Sequence, residues 1–225
     1  MRGSGRGASG SGNRARLGLA SALIAVVVGP GLGLSACGTG SGGGAAVASG
    51  ARAAHRRAAV ALAYSRAGNQ VIQPQPPAGS CHAIGRGLYE RPDPRCTPGA
   101  LNPAVSQDDI DQTICVTGWT ATVRPPEAVS EAEKRASLAA YGDSGPLRSY
   151  EYDHLIPLAL GGATNDPRNL WPEPGASPNP KDAAELSLRD QVCSGRISLA
   201  AAQREIASDW VSLSRRLVRS PRRGS

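Results

Sequence analysis

The 225-residue chain has room for one ordinary domain with appendages. Its 28 Gly, 18 Pro, absence of Phe and 4% aromatic content exclude a large apolar core over the whole length, and predict an ordered C-terminal half behind an irregular N-terminal one. The formal charge of +7 comes from 25 Lys and Arg against 18 Asp and Glu, so basicity points toward anionic partners only if the charges belong to the working part of the chain.

Four of them do not. Arg2, Arg6, Arg14 and Arg16, with no acidic residue among them, precede the apolar run Leu17 to Leu34, which is the layout of an export signal. The run ends in Leu34-Ser35-Ala36-Cys37, which is similar to a bacterial lipobox; that resemblance implies cleavage of residues 1–36 and lipid on Cys37. An uncleaved membrane-spanning helix is the other reading, since Gly29, Pro30 and Gly31 are tolerable within a span. Either way the remainder is extracytoplasmic. Without residues 1–36 the chain carries 21 basic and 18 acidic residues, a net of +3, which is only mildly basic.

Residues 37–80 read as a low-complexity linker. Gly38 to Gly50 is a flexible tether spanning roughly 20 Å on average. Residues 51–67 are rich in Ala and Arg, a composition open to a helix although no cap or apolar stripe fixes one, and Gln73 to Gly79 is a Pro-rich break. Arg52, Arg56, Arg57 and Arg66 near the anchor, like Arg215, Arg216, Arg219, Arg222 and Arg223 at the other end, suit nucleic-acid phosphates or anionic headgroups, or serve as solubilising tails.

Residues 81–147 are expected to be loop-rich and stapled by disulfides. With Cys37 lipidated, Cys81, Cys96, Cys115 and Cys193 remain, an even number outside the cytoplasm. Three pairings are possible, and proximity in sequence favours Cys96 with Cys115 and Cys81 with Cys193. A zinc site from Cys81, His82, Cys96 and Cys115 is the rival, disfavoured because no pair has the short spacing structural zinc prefers. Thr113 to Val123, with its Thr, Val and Ile, predicts one or two strands. Ser130-Glu131-Ala132-Glu133 has capping-box spacing and opens a helix to Tyr141, stopped by Gly142.

Residues 148–218 hold the chemistry. In YEYDHLIPLALGGATNDPRNLWPEP, residues 150–174, Asp153 and His154 end a strand-forming run, Gly161-Gly162 marks a turn, and Asn169 opens a second extended run. Asn179 follows, just before a helical pattern from Lys181 to Ser194 with Gly195 as its stop. Ser198 caps a longer helix whose apolar positions Leu199, Ala202, Ile206, Trp210, Leu213 and Leu217 form one stripe, so Trp210 is assigned to the core; residues 219–225 are a basic tail.

The order strand, loop, strand, helix with His, Asn and Asn at these places resembles the HNH endonuclease family. The resemblance covers Arg148 to Asp182 most closely. It implies an α+β fold built on a small ββα-metal (His-Me) finger, with additional helices and an irregular N-terminal region. It further implies that His154 is the general base, that Asp153 and Asn179 bind metal, and that Asn169 braces the site. Hard oxygen ligands favour Mg2+ or Mn2+. Arg148 and Glu151 flank the motif as candidate phosphate-holding and orienting residues, or as surface charges. The expected activity is DNA hydrolysis with little sequence preference, with DNA and the membrane as partners and no organic cofactor. The alternatives are a surface DNA-binding lipoprotein with an inactive finger and an envelope protein that uses the finger as a scaffold.

Overall fold

The computed structural model describes residues 62–219. The signal, Cys37, the tether, residues 51–61 and the tail with Arg222 and Arg223 lie outside the described residues. Those that are described form a mixed α and β domain.

Its centre is a pair of antiparallel strands followed by two helices. Tyr150–His154 (β3) pairs with Leu170–Pro174 (β4), with Glu151 opposite Glu173, Asp153 opposite Trp171 and His154 opposite Leu170. Each strand has only one paired edge, which is why Pro172 and Pro174 are tolerated in β4. A second small sheet, parallel, joins Ala63–Tyr64 (β1) to Ala100–Leu101 (β2). Pro180–Cys193 (α3) and Leu199–Arg219 (α4) pack against each other and against the loop after β3. The predicted stripe of α4 is the buried face: Leu199, Ala202, Ile206, Trp210 and Leu213 meet Ala184, Leu188 and Val192 of α3 and Leu155, Ile156 and Leu160 beyond β3. Trp210 is 1% exposed and Tyr89 stacks on it with ring centroids 6.4 Å apart, so it is core. Each Leu, Ile or Val among them contributes roughly 1.5 to 3 kcal/mol on burial, and the cluster clamps the helices onto the strands. α4 is not one straight rod: Asp209 is non-helical, and its carboxylate accepts from the Ser212 backbone to start the second half.

Several expectations are corrected. Thr113 to Val123 is not strand: Gln107–Gln112 is a 3-10 turn, and after Gly118, at φ +83°, the chain forms the short helix Trp119–Val123 (α1). Left-handed Gly118 breaks any extended run, so the β-branched residues never pair. The next helix, Glu127–Tyr141 (α2), begins three residues before Ser130, because Pro125-Pro126 starts it; it ends at Gly142 as read. The disulfides pair Cys81 with Cys96 and Cys115 with Cys193, neither being the pairing favoured by proximity. They consume the thiols a zinc site would need, and they fit a non-reducing, extracytoplasmic environment. No helix among the described residues is long and apolar enough to cross a membrane.

The linker also ends earlier than read, and 62–67 is not helical. Ser65 donates its backbone N–H to Leu101 O at 2.7 Å and its hydroxyl to Asp166. Asn165 Nδ2 donates to the carbonyls of Gly68 and Val71, and Gln73 N donates to Glu133. This segment is strapped on by polar contacts, which hydropathy does not register.

Candidate active site

Adjacent residues on a strand leave opposite faces, so Asp153 and His154 would part if β3 were sandwiched. It is not. Its outer edge is unpaired, and a cleft along that edge is lined by Arg124, Glu151, Asp153, His154, Asp182 and Glu185. A second cleft adjoins it, lined among others by Ser130 and Lys134 of α2 and by Thr164; Arg124, Tyr152 and His154 belong to both.

His154 is 8% exposed and its Nε2 lies 3.0 Å from the carbonyl oxygen of Thr164. A carbonyl only accepts, so Nε2 carries the hydrogen and Nδ1 is the basic nitrogen. Nδ1 has no hydrogen bond to a described residue and is not among the fully buried unpartnered atoms, so it retains access to solvent. Burial pushes the imidazole pKa down to about 4, with Arg124 and Lys181 pushing the same way against the Thr164 carbonyl and Asp153. The ring is neutral at pH 7 and free to accept a proton.

The loop that supplies Thr164 is fixed by Asn169, which is fully buried. Its Nδ2 donates to Ile156 O and Ala163 O, at 2.9 and 3.0 Å, while its Oδ1 accepts from Ile156 N at 3.0 Å. One amide side chain thereby ties the segment just after His154 to the loop that orients the His154 ring. Gly162 allows this closeness, since a Cβ there would collide with Ile156 O.

Asp153 faces an internal cation that sequence reading missed. Lys181 is fully buried, and its Nζ donates to His154 O at 2.7 Å and to Glu185, and lies 2.8 Å from Asp153 Oδ2 in an ion pair. Burial disfavours that ammonium, but the charges of Asp153 and Glu185 outweigh it and hold its pKa above normal. Glu173, 1% exposed, has no described donor to either oxygen. Burial first, then the charge of Asp153, raises its pKa to about 10, which holds it as a neutral acid. Lys181 and Glu185 are visible in sequence as an i,i+4 pair, which ordinarily reads as a solvated helix face.

Asn179 has a different job from metal ligation. Its Oδ1 accepts from Lys181 N at 2.8 Å and from Asp182 N at 3.4 Å, while Asp182 accepts from Asn179 N, which makes a capping box at the start of α3. With that oxygen committed, the residue instead donates from Nδ2 to Glu151 at 3.1 Å, fixing a carboxylate of the cleft. The sequence signal was present: an Asn followed by Pro at the first helical position is an N-cap pattern. Of the two readings of Arg148, its position agrees with a surface charge. It is exposed on the 3-10 turn Leu147–Ser149, before the first residue of β3, whereas His154 is the last. The arginine at the cleft is Arg124, brought there by α1.

No group of three His, Cys, Asp or Glu in metal-holding geometry occurs among the described residues. Mg2+ does not require one, since it commonly takes one or two carboxylates and completes its shell with water and substrate phosphate. Asp153, Glu151 and Asp182 supply hard oxygens in the cleft that holds His154, so the donor chemistry fits a hard divalent cation. Comparison with protein-family models, curated proteins and solved structures returned no match.

Proposed function

We propose that the chain is an exported, metal-dependent endonuclease that hydrolyses DNA phosphodiester bonds with little sequence preference, and that β3, β4 and α3 form a ββα-metal finger of the HNH type. The observation that carries this reading is His154: a neutral imidazole with its tautomer pinned by the Thr164 carbonyl, its basic nitrogen accessible, in one cleft with four carboxylates and an arginine. Asp153, aided by Glu151 or Asp182, would hold Mg2+ or Mn2+. When bound, that ion supplies positive charge for the non-bridging and leaving oxygens of the phosphodiester.

The chain's own residues do the rest. Nδ1 of His154 takes the proton of a water whose oxygen forms the new bond to phosphorus, and the bond to the 3′ oxygen breaks, leaving a 5′ phosphate. The Arg124 guanidinium presents paired donors to the non-bridging oxygens. Asn169 holds the loop that aims the imidazole. Lys181, shielded from solvent, pairs with Asp153 and fixes it in place. Lipid on Cys37 would keep the enzyme at the outer face of the membrane.

One observation favours the second reading, a surface DNA-binding lipoprotein without turnover: an ammonium already neutralises Asp153. The two are separated by incubating supercoiled plasmid with the protein and Mg2+, with and without chelator. Nicking abolished by chelator supports the nuclease; retention on DNA without nicking at any divalent ion supports the binding module.

A further inference from the structure

We propose that the cleft between Arg124 and Lys134 is a second phosphate subsite, which takes the phosphate adjoining the scissile one and makes a polynucleotide, rather than an isolated phosphodiester, the preferred substrate. The inference rests on the nuclease reading and specifies how the substrate lies.

Glu127, Ser130, Glu131 and Lys134 recur at spacings of three and four along α2 and so share one face, and this face lines the cleft on the α2 side of His154. Arg124 and Lys134 are its cations, and neither forms an ion pair with a described residue. Of the two acids on the same face, Glu131 pairs with Arg135 at 3.3 Å, and Glu127 is exposed at the helix start. On the other side of His154 the wall carries Glu151, Asp153, Asp182 and Glu185, with Lys181 fully buried behind them. A strand of phosphates through His154 therefore meets repulsion on the carboxylate side, apart from the one phosphate that shares the bound cation. On the α2 side it meets Lys134, and at the junction of the two clefts Arg124. Arg124 belongs to both clefts and bridges the scissile phosphate to its neighbour; Lys134 touches the neighbour alone.

The test is steady-state hydrolysis of a short oligonucleotide and of bis(p-nitrophenyl) phosphate, which has no neighbouring phosphate, by the full chain in Mg2+ or Mn2+. Lys134→Ala should raise KM for the oligonucleotide about five-fold with little change in kcat, and lower the salt dependence of binding by about one charge. The KM for the small ester should move much less, and Lys134→Arg should restore the oligonucleotide KM. Arg196→Ala, which removes the same charge from the exposed turn after α3, serves as the control. Equal effects of Lys134→Ala on both substrates, no effect on either, or an Arg196→Ala effect of the same size would overturn the subsite while leaving the nuclease intact. Absence of turnover on both substrates by the unsubstituted protein would overturn the nuclease reading and the subsite together.

Discussion

Asn169 shows how one buried residue can shape a candidate site from behind it. Its amide satisfies the N–H and C=O of Ile156 and the C=O of Ala163, all in the interior next to His154. Asn169→Ala leaves those groups buried without partners, at about 1 to 3 kcal/mol each. We expect a loss of roughly 3 kcal/mol or more in urea unfolding, together with loss of the His154 ring orientation; an unfolding midpoint close to that of the unsubstituted protein would contradict this. The Asp153-His154 pair and Asn169 were legible in sequence because their spacing belongs to a local motif. Lys181 and Arg124 were not. What defines them is a meeting between α3 and β3, or between α1 and β3, and no local pattern records which side chain will be enclosed by carboxylates or brought beside an imidazole.

At the level of elements, α3 and α4 were readable from periodicity, and the Gly195 stop sits at φ +70°. The region from Thr113 to Val123 was misread because β-branched content states a preference only for residues that find a partner strand. Here Gly118 and the Cys115–Cys193 bridge fix the segment as turns and a short helix instead. That bridge ties the segment leading into α1 and Arg124 to the end of α3, across 78 residues, whereas Cys81–Cys96 closes only 15. In the chain-entropy model the longer loop contributes somewhat over 4 kcal/mol and the shorter about 3. Cys115→Ser with Cys193→Ser should therefore lower the unfolding free energy more than Cys81→Ser with Cys96→Ser, measured by denaturant titration. The reverse order would show that local packing outweighs loop closure.

At the scale of the molecule, a domain poor in aromatic residues is held by one apolar cluster between α3, α4 and the loop after β3, by two disulfides and by a buried polar network under β3. The network makes stability depend on pH. Glu173 has a folded-state pKa far above its ordinary 4.5, because burial and Asp153 disfavour its charge. Below pH 4.5 it is protonated whether folded or unfolded. Above that value the unfolded chain releases a proton that the folded chain keeps, so its contribution to stability falls as pH rises. His154, depressed from 6.5 to about 4, acts the other way: as pH falls from 6.5 toward 4 only the unfolded chain takes up the proton, and stability falls. Glu173→Gln removes the first linkage alone, so its unfolding free energy should gain on that of the unsubstituted protein steadily from pH 5 to pH 9. A difference that stays constant over this range would contradict the neutral Glu173.

The most direct measurement is Mg2+-dependent nicking of supercoiled plasmid by the unsubstituted protein and by His154→Ala, with binding to the same DNA followed in parallel. The account predicts that the unsubstituted protein nicks, and that the substitution lowers the rate by about 10² to 10⁴ while DNA binding persists. Equal nicking by both proteins, or none by either, would contradict the assignment of His154 as the base.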